Sequence, residues 1–371
     1  MMKRLITASL LTSMFAGVLL AGCQPTEDDL LAEYRRAIPS KSVLQASSVR
    51  AASKAVGDPA VLPPGSIELA TGINGAVGAL IDTLDAVVAL PPTVYNSETL
   101  EFVWGPFPND DGVGTVAVYI RDVGDTKDFR YEFAFLRGID NDVAKLTPII
   151  IGGATPDETN DDHGVGVALY DFEANAAFED QHNPDHGALD HGRIGFLFAA
   201  GPDEKNPANE LGLVVAAFRG FVSVDNPEEP AADIDYLYGR YIDNSAVKTT
   251  IDFLNFTAPI DVQEDGSARE DLDVRLAFIN EGAGRGEAVA TGGDLATGET
   301  ATLTECWDDQ IKQNFLELSL PNDQVTTEGS VDNCGLFRPG LATLGVPSVS
   351  DIPADLYKAL SDVAATGKIP E

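Results

Sequence analysis

Between residues 114 and 308 the chain repeats one device: a short run of β-branched and aromatic residues in alternation with polar ones, closed by Asp, Asn, Gly or Pro. Alternation of period two puts successive side chains on opposite faces of a strand and does not suit a helix. Eleven runs fit: "GTVAVYIRD", "FRYEFAFLRG", "LTPIIIGG", "VGVALYDF", "RIGFLFAAG", "LGLVVAAFRGF", "DYLYGRYI", "KTTIDFLNF", "LDVRLAFI", "RGEAVATGG" and "TATLTECWD". In "FRYEFAFLRG", Phe129, Tyr131, Phe133 and Phe135 fall on one side while Arg130 and Glu132 fall on the other, which predicts a sheet with one wet face. No helical pattern separates the runs, so antiparallel connections are expected. The predicted fold is mainly β, a large antiparallel meander sheet curled into an open barrel or sandwich.

Ahead of the strands, "SIELATGINGAVGALIDTLDAVVAL" spaces Ile73, Val77, Leu80, Ile81, Leu84, Val87 and Val88 for one face of a helix that ends at Pro91-Pro92. Gly72, Gly75 and Gly78 weaken it by about 1 kcal/mol each relative to Ala, and would let it approach another backbone closely. This N-terminal helix is expected to pack on the sheet. A short C-terminal helix is expected in "SDIPADLYKALSDVAATG", with Ser350 or Asp351 as its cap and Gly367 as its stop.

The start of the chain has another character. Lys3 and Arg4 precede a mostly apolar stretch over residues 5–20, and small residues lead into Cys23 as Leu20-Ala21-Gly22-Cys23. This resembles the bacterial lipoprotein signal. The resemblance implies loss of residues 1–22 and an acyl lipid of the palmitate type on Cys23. Gln24, where that family uses Asp for inner-membrane retention, implies the outer membrane, on its periplasmic or cell-surface side. About half of the chain, with "DHGVGVALYDF", "DHGRIGFLFAA" and "GAGRGEAVATGGDL" as the stretches that carry it, is similar to uncharacterised β-rich outer-membrane lipoproteins of Gram-negative bacteria, a resemblance that implies no activity.

Three segments follow: a signal at 1–22, a lipidated flexible tether at 23–64 and a single β-rich domain at 65–371. Residues 34–57 carry Arg35, Arg36, Lys41, Arg50 and Lys54 and no acid. From Asp58 onward there are 17 basic and 55 acidic residues, a formal charge of −38. Such a body excludes nucleic-acid phosphates as a partner, because their recognition needs basic surface. The basic tether suits either a lipid surface that repels the body or a solubilising linker of arbitrary charge.

Cys306 and Cys334 remain as an even pair in an oxidising compartment and are expected to form a disulfide. Familiar catalytic motifs are missing from the sequence. The best local candidate for chemistry is "QHNPDHGALDHGR", residues 181–193, with three of the four histidines. Pro184 and Gly187 prevent a shared helix face, so a Zn or Cu site would be built by a folded loop from His182, His186 and His191 with Asp180, Asp185 or Asp190. His163 is excluded from it by strand direction, about 23 Å away under the meander reading. The acidic loops "PNDDGVG", "GIDNDV", "PDETNDD" and "QEDGSARED" carry oxygen ligands for weak Ca²⁺ binding, though none has the EF-hand order. The functional expectation is a lipid-anchored envelope protein with a non-catalytic binding or structural role, its partner an envelope protein or an apolar small molecule such as a carried lipid. The alternative is a metal-dependent envelope enzyme or metal-binding protein that uses the histidine loop.

Overall fold

A computed structural model describes residues 27–38, 59–352 and 358–360, apart from loop positions 110–111, 125–128, 161–162, 204–205, 225–226, 228–229, 245–248, 262–267, 280–281 and 322–323. Two helices come first, α1 (Glu27–Arg35) and α2 (Leu62–Val88). Strands β1 (Val94–Asn96), β2 (Glu101–Pro108), β3 (Thr115–Asp122), β4 (Tyr131–Gly138), β5 (Thr147–Pro156) and β6 (Gly164–Asp171) lead to helix α3 (Phe172–His182). Then come β7 (His191–Asp203), β8 (Asn206–Val222), β9 (Ala232–Ile242), β10 (Thr250–Ile260), β11 (Glu270–Ile279), β12 (Gly284–Gly292), β13 (Thr300–Trp307), β14 (Gln313–Leu320) and β15 (Gln324–Gly329). All fifteen strands form one sheet in chain order, and every neighbouring pair is antiparallel. The sheet is open, with β1 and β15 as its edges. The mainly β antiparallel meander is therefore the observed architecture.

The eleven predicted runs are β3 to β13, and four more strands extend the sheet at its edges. β2 escapes a period-two reading because Gly105-Pro106 interrupts it. The register shifts between Trp104 and Phe107, a bulge that accommodates the proline. β15 is exposed along its whole length, with no apolar face to betray it.

α2 contains the predicted apolar stripe, and all seven of those residues are buried. At about 1.5 Å per residue its 27 residues make a rod about 40 Å long. It meets both β3 and β12, nine strand spacings or about 43 Å apart, so it lies across the strands. Its ends are held by distant residues. The helix begins at Leu62, because prolines 63 and 64 suit a first turn whose N–H groups have no helical partner. Glu305 of β13, fully buried, accepts from the Val61 and Leu62 N–H groups at 2.9 and 2.6 Å. At the other end Arg35 donates to the Val88 and Leu90 carbonyls, and the Trp104 indole N–H also donates to Leu90. The glycine expectation is corrected at two of its three positions: a Cβ at Gly72 or Gly75 would meet nothing within 4 Å, so both face open space, while Gly78 is buried.

Both faces of the sheet are covered in its middle, which corrects the expectation of one wet face. On the inner face Tyr131, Phe133, Phe196, Phe198, Tyr236 and Phe256 share a core with α2. On the outer face Leu213, Val215, Ala217, Leu237 and Phe253 lie under Phe337, Leu341, Ile352 and Leu360 of the C-terminal segment. All six residues 213–218 are accordingly buried, alternating between the two cores. Phe129 packs in this outer core, not with Tyr131 and Phe133, and the nearby Arg137 is buried on the inner side. The expected disulfide joins Cys306 of β13 to Cys334 and pins the outer segment to the sheet across 28 residues. Closing a loop of that size contributes about 3–4 kcal/mol in the chain-entropy model. Arg285 donates to the Phe337 carbonyl, Glu287 accepts from the Leu341 N–H, and Asn255 accepts from the Val349 N–H, so polar bonds secure the same segment.

The 23–64 segment is not a featureless tether. Residues 27–38 are docked, with Tyr34, Ala37 and Ile38 at 3%, 0% and 7% exposure. Of the predicted C-terminal helix, residues 358–360 are helical; Ser350 and Asp351, its expected caps, stand instead in a 3-10 turn over Val349–Asp351 that ends in an extended Ile352, and residues 353–357 and 361–367 lie outside the described residues, as do Cys23 and the signal.

Candidate functional site: the histidine segment

The chain leaves β6 at Asp171 and enters α3, a helix where the sequence reading placed only a strand end and a loop. Asp171 is its N-cap, with one carboxylate oxygen accepting from the Ala174 N–H at 2.9 Å and the other from Arg193 of β7 at 2.7 Å. Phe172, Ala176 and Glu179 are buried at helical spacing, and Phe178 joins them. The signal was available as an Asp cap followed by an alanine-rich, helix-favouring run, "DFEANAAFEDQH", but it has no continuous apolar stripe.

What holds α3 is polar. Arg137, projecting from the inner face of β4, donates to Asn175 at 2.8 Å, pairs with Glu179 and lies over the Phe178 ring, 4.3 Å from its centroid. Glu179 also accepts from the Asn183 side chain at 2.7 Å. Burial works to raise the Glu179 pKa, yet hydrogen bonds from Asn183 and Arg137 outweigh it and hold the carboxylate below its ordinary value. A buried pair of this kind is a clamp, since removing one member strands the other charge.

The histidines are distributed along this segment rather than gathered. His182 ends α3 with its ring against Phe178, centroids 4.9 Å apart. His186 Nε2 lies 2.9 Å from an Asp180 oxygen, and its other nitrogen bonds the Gly187 carbonyl. These two contacts, the carbonyl first, raise its pKa above the ordinary histidine value. His191 pairs with Glu173 at 3.2 Å. Asp190 accepts from the Val224 N–H at 2.7 Å, which ties the segment to the turn after β8, while Asp185 is exposed. Among the described residues no three His, Cys, Asp or Glu side chains are grouped to hold a metal ion. The register Gly164↔Ala200 and Asp171↔Arg193 puts His163 and His191 at opposite strand ends. There His163 meets Asn160 at 3.1 Å.

Carboxylates in the described parts of the acidic loops satisfy backbone donors. Asp142 accepts from the Ala144 N–H and Asp157 from those of Thr159 and Asn160, the local turns that Asp favours. Asp140 pairs with Lys145 at 3.0 Å. Much of "QEDGSARED" and the centre of "PNDDGVG" lie outside the described residues. No protein-family model matches this chain, nor does any curated protein or solved structure.

Proposed function

We propose that this chain is a lipid-anchored outer-membrane protein with a structural or binding role and no catalytic chemistry. The observation that carries the reading is the use of its buried polar groups. Glu305 caps α2, Arg137 and Glu179 clamp α3, and Asn255 and Arg285 secure the outer segment. Each holds one element against another, as a scaffold requires. Lipidation at Cys23 rests on the Leu20-Ala21-Gly22-Cys23 box. Within this reading a scaffold is preferred to a carrier of apolar molecules, because α2 fills the inner face that a carrier would offer. Leu80, Ile81 and Leu84 are at most 1% exposed against it, and an apolar guest would have to displace them.

Mass analysis of protein extracted from membranes without chelator tests the proposal. The expected result is a diacylated Cys23, no stoichiometric zinc or copper, and unchanged folding of a His186→Ala, His191→Ala double variant. Stoichiometric metal that disappears in the double variant would favour the metal-dependent alternative.

A further inference from the structure

α1 changes the distance at which an anchored body can stand from its membrane. Were residues 23–58 a free tether, Pro59 would be the first fixed point, 36 residues from Cys23 and up to about 125 Å away when extended. With α1 docked, the first fixed residue is Glu27, four residues from Cys23 and within about 14 Å.

The docking is specific. The Tyr34 ring meets those of Phe102 and Tyr131 edge-on at 5.0 and 5.2 Å, and its hydroxyl donates to the Leu100 carbonyl at 2.8 Å. Glu33 accepts from the Tyr131 hydroxyl at 3.0 Å and pairs with Arg130 at 2.6 Å. Arg36 donates to the Asp157 carbonyl. Leu100, Arg130, Tyr131 and Asp157 all lie at one end of the strands, where β2 begins, β3 ends, β4 begins and β5 ends. α3 and His182, His186 and His191 lie at the other end, whereas His163, whose carbonyl accepts from the Asp157 N–H, lies at this one. β3 pairs Asp122 with Tyr131 and Thr115 with Gly138, so seven residue steps, about 23 Å, separate the two ends.

We propose that the α1 end of the sheet is the membrane-facing surface, its partner the bilayer that holds the Cys23 lipid, and that the α3 end points away from it. This rests on lipidation at Cys23. The surface suits the role in two ways. Leu100, the residue before β2, is exposed there at 44%. Three of the carboxylates there, Glu33, Asp122 and Glu132, are paired with Arg130 or Arg121, which offsets part of the repulsion that an acidic body meets at anionic lipid.

The test uses the full lipidated chain in vesicles of phosphatidylethanolamine and phosphatidylglycerol in equal parts, with a fluorophore on Leu100→Cys or on Gly187→Cys and a quencher on the lipid headgroups. Quenching is expected to be several-fold stronger at Leu100→Cys. A Gly-Ser insertion of twenty residues between Gln24 and Pro25, which leaves α1 intact, is expected to abolish the difference. Tyr34→Ala should do the same, provided its circular dichroism shows a folded chain. Equal quenching at the two sites of a protein whose mass shows diacylated Cys23, or a contrast that survives the insertion, overturns the orientation alone. An unacylated Cys23 overturns the anchoring and the orientation together.

Discussion

α2 and α3 both lie against the inner face of one sheet, yet they are held by different physics. α2 is long and apolar, and its stability comes from burying Ile73, Val77, Leu80, Ile81 and Leu84, each contributing about 1.5–3 kcal/mol on removal from water. α3 has 11 residues and a narrow apolar face, too short to persist in water alone, and depends on an arginine donated by β4. A helix with a wide apolar stripe survives the loss of any one polar contact, whereas one pinned by a buried ion pair does not. Periodicity therefore reveals the first kind of helix and hides the second.

Breaking the clamp should have the largest effect. Arg137→Ala leaves the Glu179 carboxylate buried with a lone side-chain donor from Asn183, and a loss of about 3–5 kcal/mol is expected in urea unfolding. Arg137→Ala with Glu179→Ala should lose less than Arg137→Ala alone. Because the Glu179 pKa is lowered on folding, the stability it adds is present above its unfolded value and fades as pH falls through the folded one. Acid should therefore release α3 before α2, visible as earlier amide exchange in residues 172–182.

The cap of α2 comes next. Glu305→Ala removes the acceptor for two N–H groups, and a cost of about 1–2 kcal/mol is expected, with faster exchange confined to the first turn. An equal exchange increase along all of α2 would mean that Glu305 holds the whole helix rather than its end. On the open side of the same helix, Gly72→Ala and Gly75→Ala meet no obstacle and should each stabilise by about 1 kcal/mol, read as a raised thermal midpoint. Destabilisation would show that this side is covered by something that needs the glycines.

The smallest effect belongs to His186. Its imidazole should titrate above the ordinary histidine value by NMR, and Asp180→Asn should bring it down. A raised folded pKa means that its contribution to stability is complete below the unfolded value and is lost as pH rises through the folded one. An unchanged titration in Asp180→Asn would leave the Gly187 carbonyl, with the Glu179 charge, as the cause.

Much of the fold was legible in single segments. The strands β3 to β13 were visible because alternation is a property of neighbouring residues, and α2 for the same reason at period 3.6. α1 carried a readable stripe in Leu30, Tyr34, Ala37 and Ile38, obscured by the basic, serine-rich stretch that follows it. β2 was concealed by its proline and β15 by its wholly exposed face. The histidine segment was recognised as a concentration of donors, but its partners Glu173, Asp180 and Arg137 come from α3 and β4, so its chemistry was not readable from 181–193 alone.

Taken alone, the amino-acid sequence determined the class of fold and the pairing of Cys306 with Cys334, since each depends on composition, order or parity. Only the tertiary structure decided that α2 is capped by Glu305, 244 residues from Val61, that Arg137 reaches α3, and that α1 folds back onto β3 and β4. The reason is register. Which carboxylate meets which helix end depends on the cumulative offset of many strands, a sum that no local pattern records.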